Sequence, residues 1–267
     1  MHKLSTIILI LLTVFIAAGC HVIDDGVIWS GAVSGSGTKT EDVRNFSQLR
    51  GVHLATIGEL RVEKGDRDQL VIEADDNLIK YFATSVKDGI LHIRIEDGVS
   101  IRTQSAVRFT LTVSSLEELS TSSSGDITAR DMKGKHVELR VSSSGDISVR
   151  DVEAKTMTIS TSSSGDISVG AVQAQELDVR LSSSGDVAIR DGSVERQEVR
   201  ISSSGDYRAA DLRSLHAIVR TSSSGDATLW VVDHLRAASS SSGSIRFRGN
   251  PKVESRTSSS GDIERIP

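Results

Sequence analysis

From Val137 to Arg150 the chain alternates strictly: Val137, Leu139, Val141, Ser143, Gly145, Ile147 and Val149 occupy odd positions, with Glu138, Arg140, Ser142, Ser144, Asp146, Ser148 and Arg150 between them. A period of two sends successive side chains to opposite faces, so this is a β pattern with one face buried. Twenty residues on, the pattern returns with Met157, Ile159, Thr161, Ser163, Gly165, Ile167 and Val169 facing in. A second turn is expected at Arg130-Asp131, Arg150-Asp151, Arg190-Asp191 and Ala210-Asp211. Beyond it inward residues resume at Met132, Val152, Val172, Leu212 and Val232.

The alternation is carried by a repeat. Ser-Ser-Ser-Gly-Asp occupies 122–126 and returns at 142, 162, 182, 202 and 222; a degenerate copy contains Gly243 and a last one spans 258–262. The corner residues are Gly125, Asp126, Gly145, Asp146, Gly165, Asp166, Gly185, Asp186, Gly205, Asp206, Gly225, Asp226, Gly243, Gly261 and Asp262, spaced by 20 and finally by 18. A fixed period of this size implies a solenoid in which each coil contacts only its neighbours. In-register columns point to a parallel β-helix, each coil having two main strands that meet at a Ser-Gly corner where only small inward residues fit. About eight coils at roughly 4.8 Å each would make a rod of about 35 to 40 Å.

Residues 41–115 lack the repeat but still alternate, through Val52, Leu54, Leu60, Val62, Leu70, Ile72, Leu91, Ile93, Ile95, Val107, Phe109, Leu111 and Val113; Asn77 to Val86 is a candidate short helix. This part is expected to cover the N-terminal end of the solenoid formed by 116–267, which would otherwise expose unpaired backbone groups. The predicted fold is therefore all-β: a single-stranded parallel β-helix with coils of about 20 residues and an N-terminal β-rich cap.

Residues 1–19 read as a secretory signal, with Lys3 near the start, an apolar run from Ile7 to Ala18 and small residues at the end; the run is too short for a permanent membrane span. Ala17-Ala18-Gly19-Cys20 resembles the lipobox of bacterial lipoproteins, Ala17 standing where Leu is usual. That resemblance implies lipidation of Cys20, the only cysteine. Several acyl chains would tether the protein durably, at about 0.8 kcal/mol per buried CH₂. His21 after the Cys, by resemblance to Gram-negative sorting patterns, implies the outer membrane of the cell envelope. Residues 20–40, containing Ser34-Gly35-Ser36-Gly37, are expected to form a flexible spacer.

Gly35-Ser36-Gly37, Asp42-Val43-Arg44 with Phe46, Asp76-Asn77-Leu78, and Val86-Lys87-Asp88-Gly89-Ile90-Leu91, followed by serial Ser-Gly-Asp coils, resemble the autotransporter-adhesin head, or GIN, domain family. The resemblance covers about residues 35 to 265. It implies a right-handed parallel β-helix on an exported bacterial protein with an adhesin-like role, and brings no catalytic residues with it.

Composition narrows the chemistry. Aromatics are 3% of the chain and serine about one residue in six, and the net charge is −5 with no basic block, so a nucleic-acid surface is not expected. The outward Asp column needs compensation, because charges one coil apart repel by about 0.9 kcal/mol even in bulk water. Hydrogen bonds from nearby Ser hydroxyls and backbone N–H groups are favoured over a bound Ca²⁺, since the nine-residue calcium-roll pattern is absent. Arg140, Arg180, Arg200 and Arg220 form a second column, interleaved with carboxylates as a solvated salt-bridge face.

A Ser-His-acid triad is disfavoured because His136, His216 and His234 occupy non-equivalent places while Ser-Gly-Asp recurs. Thr121, Thr161 and Thr221 share the inward column of Val141, so an outward threonine array for ice binding is excluded. The enzymatic rival, a β-helix polysaccharide lyase or hydrolase, would want unequal loops and aromatic platforms; here the large solenoid aromatics are Tyr207, Trp230 and Phe247, with Trp230 outward. The expectation is a non-enzymatic scaffold or adhesin-like module without a cofactor. Its expected partners are a membrane through the lipid anchor, a glycan or envelope-protein ligand, and further copies through end-to-end self-association at the edge near Ile263 and Ile266.

Overall fold

The computed structural model describes residues 31–267; the signal segment 1–19 and Cys20 lie outside the described residues. Within them the chain is all β apart from one 3-10 turn, Ile79–Tyr81. The strands Asp126–Val141, Ile147–Thr161, Ile167–Leu181, Val187–Ile201 and Tyr207–Thr221 each pair in parallel with the next, Ile127 beside Ile147, Ile147 beside Ile167 and Ile167 beside Val187. Stacking by one whole repeat gives every axial N–H and C=O a partner in the neighbouring coil and lines like residues into columns. Leu139, Ile159, Val179, Val199 and Val219 form one such column, all 0% exposed.

Each coil has three short faces where two were expected. Burial changes parity at Arg130-Asp131 and changes back at Lys135-His136, leaving faces at 127–129, 131–134 and 137–141. The second change is hard to see in sequence because the middle face turns only Met132 and Gly134 inward, too few positions to establish a period. The middle face also absorbs the shortening from 20 to 18 residues: pairing jumps from Ala209 beside Leu229 to Arg213 beside Trp230. Val231, not Val232, is therefore the inward residue there, at 0% exposure.

A buried polar chain crosses the lumen at this irregular coil. The Tyr207 hydroxyl donates to Gln197 Oε1 at 2.9 Å, Gln197 Nε2 donates to Ser214 Oγ at 2.7 Å, and Ser214 donates to the Trp230 carbonyl at 2.8 Å. All three side chains are fully buried, so the network is stable because every member is paired. Burial pushes the Tyr207 phenol far above its ordinary pKa and keeps it a donor.

The N-terminal region continues the solenoid and then closes it. Gly51–Ala55 and Glu59–Lys64 stack in parallel on Glu118–Thr121 and on 126–129, and Ile90–Ile95 and Arg108–Val113 stack beyond them. Residues 51–64 thus lie between two segments that follow them in the chain. Antiparallel strands seal the outer edge: Phe82–Lys87 on Ile90–Ile95, Gln69–Asp75 on Arg108–Val113, and Lys39–Asn45 on Gln69–Asp75. The sheet and core run unbroken from this region into the repeat.

Two expectations change here. The helix over 77–86 is only the turn Ile79–Tyr81 followed by the strand Phe82–Lys87, because Asp88 and Gly89, at φ 52° and 76°, make the two-residue turn that folds this strand against the next. The spacer is also ordered before residue 40: Val33–Ser34 pairs with Ile101–Arg102, and a side chain at Gly35 would collide with Asp75. Gly35 serves close approach, and Gly37, at φ 81° with open space around it, serves a turn.

The C-terminal end has no such seal. Lys252–Thr257 and Ile263–Arg265 pair with 234–239 and 245–247, and no described strand lies beyond either. All six residues of Lys252–Thr257 are exposed.

Candidate functional site

The Ser-Gly-Asp corner is a continuous hydrogen-bonded ladder. The N–H groups of Gly145, Gly165, Gly185, Gly205, Gly225 and Gly243 donate to the carbonyls of Ser123, Ser143, Ser163, Ser183, Ser203 and Ser223 at 2.9–3.1 Å. A side chain at any of these six glycines would strike the carbonyl oxygen of the corner glycine one coil earlier; at Gly125 it would meet the Thr56 carbonyl, and at Gly261 the Ser239 hydroxyl and then the Gly243 carbonyl. The glycines are needed because backbones meet there, and their φ angles are ordinary.

The aspartates form the outer rail. Oδ1 of Asp126, Asp146, Asp166, Asp186 and Asp206 accepts from the backbone N–H of the Asp one coil on, at 2.8–2.9 Å, and Asp226 accepts from Ser244 N–H at 2.8 Å. The compensation for like charge thus comes from the next coil's amide dipoles rather than from Ser hydroxyls. The hydroxyls of Ser142, Ser182, Ser202, Ser222 and Ser240 turn to carbonyls of the previous coil, at 3.1–3.4 Å. Asp262, in the last described coil, accepts from Ile263 N–H at 2.8 Å.

Arginines neutralise only part of the rail. Arg208 bridges Asp186 at 2.6 Å and Asp206 at 2.8 Å, and the hydrogen bond to Asp186, with the charge of both carboxylates, holds its guanidinium pKa up. Arg246 bridges Asp226 and Glu264, each at 3.1 Å. Asp126, Asp146 and Asp166 are exposed and, among the described residues, have no cation at ion-pair distance. Among the described residues no group of three His, Cys, Asp or Glu side chains is placed to hold a metal ion.

The 137–141 face carries the expected charge lattice. Arg180 meets Asp178 at 2.8 Å, Arg200 meets Glu198 at 2.6 Å, Arg220 meets Glu198 at 2.8 Å, and Arg140 meets Glu138. These pairs are half exposed and each contributes little to stability. Neighbouring columns bring together residues that the sequence alone does not pair: His216 and His234 stack at 5.6 Å, with Arg196 and Lys252 on either side in the same column.

His53 was not singled out by the repeat. It lies between Ser120 Oγ at 2.8 Å and Ser122 Oγ at 2.9 Å, beside His92 at 5.4 Å. Burial, then the charge of His92, lowers its pKa. A hydroxyl occupies the place where a triad needs a carboxylate, and His92 opposes an imidazolium, so the arrangement lacks what would stabilise the charged base. A groove of about 570 Å³ lies where the cap coils have no counterpart of the middle face, and is lined by Lys64, Leu116, Met132, Lys133 and Arg150 among others.

Residues 48–171 and 150–251 match the family model described as "Putative auto-transporter adhesin, head GIN domain". The chain belongs to the head GIN domain family. Its fold is shared by solved structures: a putative adhesin from Parabacteroides merdae (TM-score 0.84, 18% identity, covering 88% of this chain and 99% of that one). Another putative adhesin, from Parabacteroides distasonis, has a TM-score of 0.84 at 20% identity and covers 88% of this chain and 100% of its own. A putative lipid binding protein from the same species has a TM-score of 0.81 at 22% identity, covering 89% and 100%. No curated protein matches the sequence. The GIN domain here is a parallel β-solenoid whose Ser-Gly-Asp corners are structural.

Proposed function

We propose that this GIN-domain protein is an exported lipoprotein of the cell envelope, anchored in the outer membrane through Cys20, that works as a non-enzymatic scaffold and adhesin-like binding module. The observation that carries the reading is the regularity of the outer surface. From Ile127 to Thr221 the coils follow one another with no inserted loop, so each outward column presents side chains at one coil's spacing along the rod. Such a surface suits an extended ligand bound by many weak, repeated contacts. The family description supports an adhesin-like role.

The test has two parts. Palmitate labelling of the expressed full chain is expected to be lost in Cys20→Ala, and persistent labelling would refute the anchor. A screen of glycans and envelope proteins is expected to find a ligand that is bound and left intact. Shortening of a polysaccharide substrate during prolonged incubation would instead establish the rival β-helix lyase or hydrolase.

A further inference from the structure

The 137–141 face changes sign along the rod. Its acidic end carries Glu118, Glu138, Glu176 and Asp178 against Arg140 and Arg180, whereas from Arg196 onward its outward columns hold Arg196, Arg200, Arg220, Arg236, Lys252 and Arg256 against Glu198 and Glu254. One column at the basic end is a line of nitrogen side chains in four successive coils: Arg196 beside His216, His216 beside His234, and His234 beside Lys252. All four are exposed. None has a carboxylate at ion-pair distance among the described residues, although Glu176 stands one coil before Arg196 in the same column and Glu195 and Asp233 precede two of them in sequence. Arg200, Arg220 and Arg236, by contrast, are engaged by Glu198 or Glu254. A groove of about 200 Å³ runs over the line, bordered by Arg236 and Glu254.

The geometry points to this line as a binding site for a linear acidic polysaccharide, one whose sugar units carry carboxylates and which lies along the solenoid axis. The inference rests on the adhesin-like reading above and gives it a ligand class and an address. Two full cations at its ends, with two imidazole side chains between them at the coil spacing of about 4.8 Å, suit a chain that repeats its carboxylates, because each added unit meets another nitrogen donor without bending. The carboxylates at the groove's edge decide between polyanions. Glu254, and Glu198 one column over, accept hydrogen bonds from sugar hydroxyls, which every unit of a polyuronate carries free and the phosphate-linked sugars of a DNA strand do not.

The experiment titrates the purified full chain with polygalacturonate, with its fully methyl-esterified neutral form, with a single-stranded oligonucleotide, and with phosphatidylglycerol vesicles. Polygalacturonate is expected to bind and to weaken as salt rises, the neutral form not to bind, and the oligonucleotide and vesicles to bind less well. Arg196→Gln with Lys252→Gln is expected to weaken polygalacturonate binding about tenfold, the loss of roughly 1.4 kcal/mol. Lys133→Gln with Lys155→Gln, on and beside the middle face, should leave it unchanged; circular dichroism of each variant reports the fold. No binding of polygalacturonate, equal binding by the double variant, or preference for the oligonucleotide or vesicles would overturn the site. A different ligand from the screen, held equally by the double variant, would overturn the site and leave the adhesin-like reading standing. A screen that finds no ligand at all would remove both.

Discussion

The two ends of the solenoid meet the same physical problem in different ways. A stack of parallel strands leaves at each end a row of unpaired N–H and C=O groups above an open core. At the N-terminal end the chain folds back, and antiparallel strands ending in Lys39–Asn45 cover the core, so that Leu70, Ile72, Leu78, Phe82 and Phe109 are at most 1% exposed. At the C-terminal end no described strand covers the last coil, and the chemistry of the inward columns changes in part. Ser255 and Thr257 follow Ala237 and Ser239 and Arg265 stands in the column of Phe247, while Val253 and Ile263 continue the apolar columns of Leu235 and Ile245, Val253 with 40% of its surface exposed. The large apolar end is thus sealed by topology, and the other is softened by polar side chains and left with Val253 open to solvent.

That contrast can be broken by matched substitutions at the two ends. Phe109→Ala removes a ring packed edge-on against Phe82 at 5.4 Å and should cost about 3 to 5 kcal/mol, seen as a large fall in the urea midpoint. Ile263→Ala, in the partly exposed last coil, should change it by well under about 1 kcal/mol. Equal losses would mean that the C-terminal coil is sealed as tightly as the cap.

Corner substitutions sharpen the point at lower amplitude. Gly165→Ala drives a methyl group into the Gly145 carbonyl with coils fixed on both sides, and should cost about 1 to 3 kcal/mol in thermal or urea unfolding. Gly261→Ala meets the Ser239 hydroxyl first and the Gly243 and Ser241 carbonyls only at 2.7 Å, in the last described coil, and should cost less. Asp146→Ala is expected to lose about 1 kcal/mol and to speed hydrogen exchange at Asp166 N–H, whereas Asp262→Ala, whose carboxylate serves only its own neighbour, should leave stability unchanged.

The smallest effect is a pH response confined to the cap. Hydrogen bonds from Thr103, then Ser105, hold the Asp75 carboxyl below the usual carboxylate range. Its contribution is complete above the unfolded-state pKa, near 3.9, and is lost as pH falls through the lower folded value. Thr103→Val should remove part of the acid sensitivity of cap unfolding, measured by hydrogen exchange between pH 5 and 2, and leave the repeat coils unaffected.

The repeat made much of the architecture legible. Parity identified the inward columns, and the Ser-Gly-Asp spacing located each corner, because a strand has a period of two and a stacked coil a fixed length. The middle face was not legible, since a strand with two inward positions carries no period. The cap was legible as strands but not as topology: nothing local in Gly51–Ala55 says that it stacks on Glu118–Thr121 rather than on a sequence neighbour. The Asp-Gly pair at 88–89 was a usable hairpin signal. The basic column of Arg196, His216, His234 and Lys252 was hidden because its residues differ in type and its last two steps are 18 residues instead of 20.

Sequence by itself determined that this protein stacks in parallel, where two of the three turns of each coil fall, and that glycine and serine recur at one corner, because those properties follow from short-range periodicity and side-chain size. Tertiary structure decided which groups meet across coils. Only there do the Asp carboxylates find the next coil's amides, the Tyr207–Gln197–Ser214 chain close across the lumen, and four nitrogen side chains align into one line. Such contacts depend on register between segments about twenty residues apart, and register is set by the packing of the whole core, not by any one coil.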